Sequence, residues 1–302
     1  MANKKMIEKK PCKGKFALIV GGSQGIGKEI AKEIIRLSGN VCILARTVKT
    51  LEEAVEEISN EKVNDNQLVE MISCDATDMD KLKNGIDSFI KNHGIPYYLI
   101  NCVGQAYPNY LENMKIEDFK KSMDINYIGT VAPILSILPH MIEKSKKIQE
   151  ETGINEWNKD YYGHIINLSS EAGFLGLMGY STYCPTKFAI VGLSECLRHE
   201  LKPYHIRVSV VFPVDTQTPG FEFENKIKPD ELKMISARAG LMEADEVAEK
   251  IMKKVLNNKF KIFLGAAGFH NWAKRHMPWL AYSELDGDLK KARKKLGKNT
   301  YY

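Results

Sequence analysis

Tyr183 and Lys187, in the stretch "YSTYCPTKFAIVG", stand four positions apart. On a helix that spacing puts a phenol and an ammonium on one face. Alone, such a pair is also ordinary surface chemistry. A phenol normally ionises at about pH 10. A neighbouring ammonium favours the phenolate and lowers that value. Tyr183 could then give a proton to a carbonyl being reduced, or take one from an alcohol being oxidised. Ser170, in "NLSSEAG", lies thirteen positions earlier, where an apolar run ends. It either caps the next helix or holds a substrate oxygen as charge develops on it. Asn126, in "MDINYIGT", is either polar packing within a helix or the holder of a water that links Lys187 to solvent. No residue cluster has metal-ligand spacing, so no metal is expected.

These side chains need elements to bring them together. Apolar runs alternate with amphipathic stretches along the chain. "FALIV" (16–20) precedes a glycine turn and a helix over about 25–38. "VCILA" (41–45) precedes "KTLEEAVEEIS", where Leu51, Ala54, Val55 and Ile58 mark one helical face. "LVEMISC" (68–74) and "YYLIN" (97–101) follow, then a long helical region over about 116–145. "HIINLS" (164–169), "RVSVVFP" (207–213) and "FKIFLG" (260–265) complete the series. Seven strands alternating with helices predict an α/β fold. It is a Rossmann-type doubly wound seven-stranded parallel sheet, with helices on both faces of a single domain. Two segments break the rhythm. Residues 144–163 read as an exposed polar insertion, and 216–240 as a lid-like excursion leaving the carboxyl end of a strand.

The cofactor end is written in "LIVGGSQGIGKEIA". Gly21, Gly25 and Gly27 follow the first strand and open a helix, with Ser23, Gln24 and Ile26 between them. Such glycines are either structural or let backbone approach a pyrophosphate on the helix N-terminus. The second strand ends in Ala45, Arg46 and Thr47, with no acid for a ribose 2′-hydroxyl. An arginine suits a 2′-phosphate, which predicts NADP(H). Asp75, followed by Ala76, either accepts from an adenine amino group or caps the next helix. Asn101 and Gly104 end the fourth strand, where strand order would reverse.

The 302 residues are 44% hydrophobic and 27% charged, with a net charge of +5. This is globular composition, mildly basic, and it carries no nucleic-acid motif. Basic runs at the two ends read as solvated tails or as weak attraction to an anionic membrane. Six cysteines without a CxxC pair point to free thiols in a reducing, cytoplasmic setting. No uninterrupted apolar run reaches about 18 residues, so no spanning helix is expected. "FHNWAKRHMPWLAY" (269–282) mixes aromatic and basic residues. It suits either peripheral contact with a membrane or packing against a partner subunit or the chain's own core.

Taken in order, these motifs resemble the short-chain dehydrogenase/reductase family over about residues 14–265. The matching positions are Gly21, Gly25, Gly27, Asp75, Asn101, Gly104, Asn126, Ser170, Tyr183 and Lys187. The resemblance implies that Asn126, Ser170, Tyr183 and Lys187 form the catalytic set. It further implies that Lys187 reaches the nicotinamide ribose and that the chain forms a homodimer or homotetramer. Val20, Val103 and "PVDTQT" depart from the family pattern, the last keeping Pro213 and Thr218 beside the cofactor. A narrower resemblance, carried by "ELKPY" and "PVDTQTPGF", is to its 3-ketodihydrosphingosine reductase branch. That implies NADPH-dependent reduction of a long-chain lipid ketone. Phe221, Phe223, Ile227, Leu232, Met234 and Ile235 would then shelter the chain of the substrate or pack as a lid on their own core. A reductase of steroids or 3-ketoacyl thioesters, or a non-catalytic NADP-binding sensor, is the alternative. The expected layout is a tail over 1–13, the NADP-binding domain over 14–268 and an extension over 269–302.

Overall fold

The computed structural model describes residues 9–153, 161–237 and 240–299. Strand β1 (Phe16–Val20) leads to helix α1 (Gly25–Arg36), β2 (Asn40–Ala45) to α2 (Val48–Ser59), and β3 (Val69–Ser73) to α3 (Met79–His93). After β4 (Tyr98–Asn101) come α4 (Ile116–Met123) and α5 (Gly129–Thr152), then β5 (Gly163–Leu168), α6 (Tyr183–Glu200) and β6 (Ile206–Phe212). The expected seven-stranded sheet forms, wholly parallel, in the order β3-β2-β1-β4-β5-β6 followed by the strand Lys261–Phe263.

Both faces of the sheet are covered because successive strand residues point opposite ways. Ala17, Ile19, Val41 and Ile43 pack with Ile30, Ile34, Leu51 and Ile58 of α1 and α2. Leu18, Val20, Cys42 and Leu44 pack with Leu82 and Ile86 of α3 and Ile134 and Ile137 of α5. Fully burying one of these Val, Leu or Ile side chains contributes about 1.5–3 kcal/mol. The order reverses between β1 and β4, and their carboxyl ends flank a crevice.

Four expectations change. First, α5 runs on to Thr152, so the first part of the 144–163 insertion is helix; residues 154–160 lie outside the described residues. Second, the stretch Ile116–Thr152 is long and apolar enough, by length and composition, to cross a membrane. No Asp, Glu, Lys or Arg occurs between Ile125 and Ile142, although polar residues interrupt the apolar run. Half of its most apolar window is buried in the fold, as expected of a core helix. Third, the 1–13 tail does not stay clear of the fold. Cys12 is buried beside the α1 helix end, and its amide donates to the Leu37 carbonyl at 3.2 Å. Residues 1–8, with Lys4 and Lys5, lie outside the described residues.

Fourth, the 216–240 excursion is ordered by its own elements. Strand β7 (Thr216–Gln217) pairs in parallel with β8 (Met242–Glu243). Between them lie α7 (Pro219–Ile227) and α8 (Asp230–Ser236). Residues 238 and 239 of the excursion are outside the described residues. Helix α9 (Ala244–Leu256) returns to the sheet, where Lys261–Phe263 is β9. Helices α10 (Ala267–His276) and α11 (Pro278–Lys295) follow, and α11 packs on α8. The extension therefore supports the lid.

Candidate active site

A cavity of about 560 Å³ opens at the switch point. Its walls include Gly21, Ser23, Gln24, Gly25, Ile26 and Gly27 from the first turn. Arg46, Asp75, Ala76 and Gly104 line it from the next strand ends, and Ser170, Tyr183, Lys187, Pro213 and Thr218 from the far side. Of the expected site residues, only Asn101 and Asn126 are off the wall. The Asn101 amide donates to Asn167 Oδ1 at 2.8 Å, tying β4 to β5. Asn126 sits one layer behind.

The glycine turn is built for close approach. Gly21 and Gly25 have φ of +78° and +54°. A Cβ on Gly27 would stand 2.3 Å from the Gly21 carbonyl oxygen, and one on Gly21 2.9 Å from the Val103 amide nitrogen. No side chain of Gln24 caps α1, so its first-turn amides face the cavity mouth without a side-chain acceptor from that position. This cradle fits a pyrophosphate, and the wall beyond it is long enough in residues to hold a nicotinamide dinucleotide. Arg46 Nη1 lies 3.9 Å from Asp75 Oδ2 at the rim. Asp75 does not cap α3, a role taken by Asp78, whose side chain accepts from the Lys81 amide. Asp75 Oδ1 instead accepts from the Thr77 amide and hydroxyl at 2.9 and 2.8 Å.

At the other end, β5 delivers Ser170 and α6 begins at Tyr183. Ser170 takes the capping part and also faces the Tyr183 phenol. Its Oγ accepts from the Ala172 amide at 3.2 Å as a cap, and it hydrogen-bonds the Tyr183 phenol. Lys187 Nζ lies 5.5 Å from the centre of the Tyr183 ring and donates to the Leu168 carbonyl at 3.0 Å. Burial lowers Lys187 to about 8.

Tyr183 departs from expectation. Its phenol is held above the usual range, by burial first and by the Glu224 carboxylate second; Ser170 only partly opposes them. The side chain is partly open to the cavity, so this is a phenol ringed by protein rather than sealed in it. Lys187, bonded to a backbone carbonyl, does not supply the anticipated depression among the protein groups. A phenol that keeps its proton is a donor, which suits the reducing direction.

Asn126 takes the polar-packing alternative. A π-turn over Asp124–Ile128 turns it inward. Its Oδ1 accepts from the Gln105 amide at 2.7 Å, and its Nδ2 donates to the Gln105 carbonyl at 3.1 Å. Both ends of its amide thus brace the turn after β4. A Cβ on Gly104 would stand 3.1 Å from both Asn126 Oδ1 and Lys187 Nζ. Gly104 is what lets these two side chains share one space.

Sequence reasoning missed Tyr180, Asp215 and Glu224, which also line the cavity. Of the six apolar residues expected to shelter a substrate chain, only Phe221 reaches this wall. Leu232 is buried against Gly179. Phe223 packs on Tyr107, and Met234 and Ile235 line a second cavity of about 270 Å³ beside α11.

A glycine cradle at a switch point, facing a proton donor and a buried lysine, defines an oxidoreductase that uses a nicotinamide dinucleotide. The chain belongs to the short-chain dehydrogenase family, whose model, "short chain dehydrogenase", matches residues 15–228. It is 36% identical over 267 residues to a 3-dehydrosphinganine reductase of Danio rerio, covering 87% of this chain and 76% of that one. It is 38% identical over 262 residues to a 3-ketodihydrosphingosine reductase of Dictyostelium discoideum, covering 83% and 74%. The fold is shared with a 3-oxoacyl-[acyl-carrier protein] reductase of Brucella melitensis, at TM-score 0.67 and 24% identity over 84% of this chain and 91% of that one.

Proposed function

We propose that this chain reduces the ketone of a long-chain 3-keto sphingoid base to the alcohol, with NADPH as hydride donor. The observation that carries the chemistry is the convergence of Ser170, Tyr183 and Lys187 on the cavity that the glycine cradle also lines. The names of the relatives above support the substrate. Bound NADPH supplies the hydride. Ser170 and Tyr183 hold the carbonyl oxygen, and the Tyr183 phenol protonates it as charge develops. Lys187 is anchored to reach the ribose. Arg46, exposed at the end of β2, supports the 2′-phosphate reading.

The test is oxidation of NADPH with detergent-dispersed 3-ketodihydrosphingosine, beside a short ketone and a 3-ketoacyl thioester. Turnover of the sphingoid ketone above the others is expected; activity only on the others removes the sphingoid reading. Arg46→Asp should move preference toward NADH by about tenfold or more, and an unmoved ratio removes the phosphate role.

We further propose that α10 and α11 meet a membrane surface. Phe269, Trp272, Trp279 and Tyr282 on α10 and α11 are 49–67% exposed. Such rings settle at headgroup level. Lys274 is committed inward, to the Phe174 carbonyl, which leaves Arg275 as the basic neighbour. Trp279→Ala should weaken sedimentation with anionic vesicles, and unchanged binding removes this contact. Light scattering tests the dimer or tetramer.

A further inference from the structure

Among the cavity-lining groups that the reaction as proposed leaves without a task are Tyr180, Glu224 and Asp215. Tyr180 Oη donates to Glu224 Oε1 at 2.5 Å. Its ring centre lies 6.1 Å from that of Tyr183. Lys228, whose side chain is fully buried, stands 2.9 Å from the same Oε1. Neither contact uses Oε2. Lys228 also donates to Ser236 Oγ at 3.1 Å, and Ser236 donates to Asp215 Oδ2 at 2.5 Å.

One buried ammonium therefore pairs directly with Glu224 and is linked to Asp215 only through the Ser236 hydroxyl. The formal charges of Glu224, Asp215 and Lys228 sum to −1. Among the described residues on the cavity wall, Lys187 and Arg46 are the only Lys or Arg side chains. Lys187 is bonded to Leu168, and Arg46 sits at the opposite end beside Asp75. Nothing on the wall neutralises the excess beside Tyr183. A carboxylate held this way favours a ligand that brings one positive charge to within a side chain's reach of the reacting carbonyl.

We propose that Glu224, oriented by Tyr180 and Lys228, selects ketones that carry a protonated amine on the carbon next to the carbonyl. The inference rests on the reductase reading above and deepens it. A 3-keto sphingoid base has that arrangement. With its carbonyl oxygen on Tyr183 and Ser170, the neighbouring ammonium would come within the field of Glu224, whose charge already acts on the Tyr183 phenol. A ketone without the amine puts apolar carbon against a carboxylate, which loses solvation and gains no partner. The selectivity is thus attractive for one class and repulsive for the other.

The experiment compares kcat/KM for 3-ketodihydrosphingosine and for its analogue lacking only the amine, with wild type and Glu224→Gln. The expected result is a fall of about tenfold or more in the amine-to-desamino ratio on substitution. The glutamine keeps an acceptor for Tyr180, and Glu224→Asp, which keeps the charge, should retain part of the preference. A ratio unchanged in Glu224→Gln overturns the proposal. A second measurement needs no variant. A long-chain 2-amino alcohol should inhibit wild type about tenfold more tightly than its desamino counterpart, and equal inhibition overturns the proposal. Failure of the sphingoid reading is distinct: wild type then turns over neither long-chain ketone, and a short α-aminoketone and its desamino partner carry the same comparison.

Discussion

The two walls of the cavity are held by different physics. The cofactor wall is shaped by backbone meeting backbone: Gly27 against the Gly21 carbonyl, Gly21 against Val103. The lid wall is shaped by charged side chains reaching across the fold. Glu231 of α8 is buried, accepts from Tyr110 and pairs with Lys298 at 3.0 Å and Arg293 at 3.6 Å. Burial alone would raise its carboxyl, but the bonds from Tyr110 and Lys298 outweigh that and hold it low. The first wall tolerates one residue type at each contact. The second is a set of pairings that can be loosened one at a time. The difference separates a site that binds one cofactor from a site that can be retuned to a substrate.

Tyr183 stands where the walls meet, and its replacement should have the largest effect. Tyr183→Phe is expected to lower kcat by about 10²–10⁴-fold, with NADPH affinity by fluorescence titration nearly unchanged. Retained turnover would remove the assigned donor.

Gly27→Ala breaks the cofactor wall. The new methyl meets a backbone oxygen that cannot rotate away. Stability should fall by about 1–3 kcal/mol, and NADPH affinity with it, measured by thermal unfolding and titration. Unchanged affinity would mean that the turn can shift without harm.

Lys187, on the far side beside Gly104, gives a test by pH. Its folded value of about 8 lies below the ordinary 10.5. Between those values the unfolded chain binds the extra proton, so this group's contribution to stability rises with pH across the window. The full change is about 3 kcal/mol. Urea unfolding of the cofactor-free protein should show wild type gaining on Lys187→Met between pH 7.5 and 10. A constant difference would place Lys187 in water.

Glu231→Ala loosens the lid wall and should act least. Loss of its charged hydrogen bonds corresponds to about 1.5–3 kcal/mol, only part of it felt at the site. The expected result is a rise in KM for the ketone with NADPH affinity unchanged. An equal loss of both would join the walls into one unit.

The same contrast explains what could be read from the chain. The strands were legible because alternation along 16–20 and 41–45 fills two opposed cores. The glycine turn was legible because crowding leaves glycine alone able to fill it. The lid network was not: Tyr110 and Glu231 are 121 positions apart, Lys298 and Glu231 67, and Tyr180 and Glu224 44. No local pattern links such pairs. Asn126 was identified but not its bond to Gln105, because a π-turn decides where it points. The proton affinity of Tyr183 was read from the wrong neighbour. Spacing places Lys187 beside it, whereas burial and Glu224 dominate.

The two-residue ladder of β7 and β8 has a consequence for how this fold diversifies. Thr216 pairs with Met242 and Gln217 with Glu243, so the segment between them leaves and returns at adjacent points. Lengthening a loop closed in this way costs little, about 0.6 kcal/mol per doubling. The segment is therefore a replaceable cassette. A different sequence can be inserted above the ladder while β6, α9 and the cofactor wall keep their register. What an incoming cassette must bring is an anion for Lys298 and Arg293 and a residue in the place of Thr218, which packs beside Gly25 on the cofactor cavity. A transplant that carries it would inherit the hydride chemistry intact and give it a new clientele.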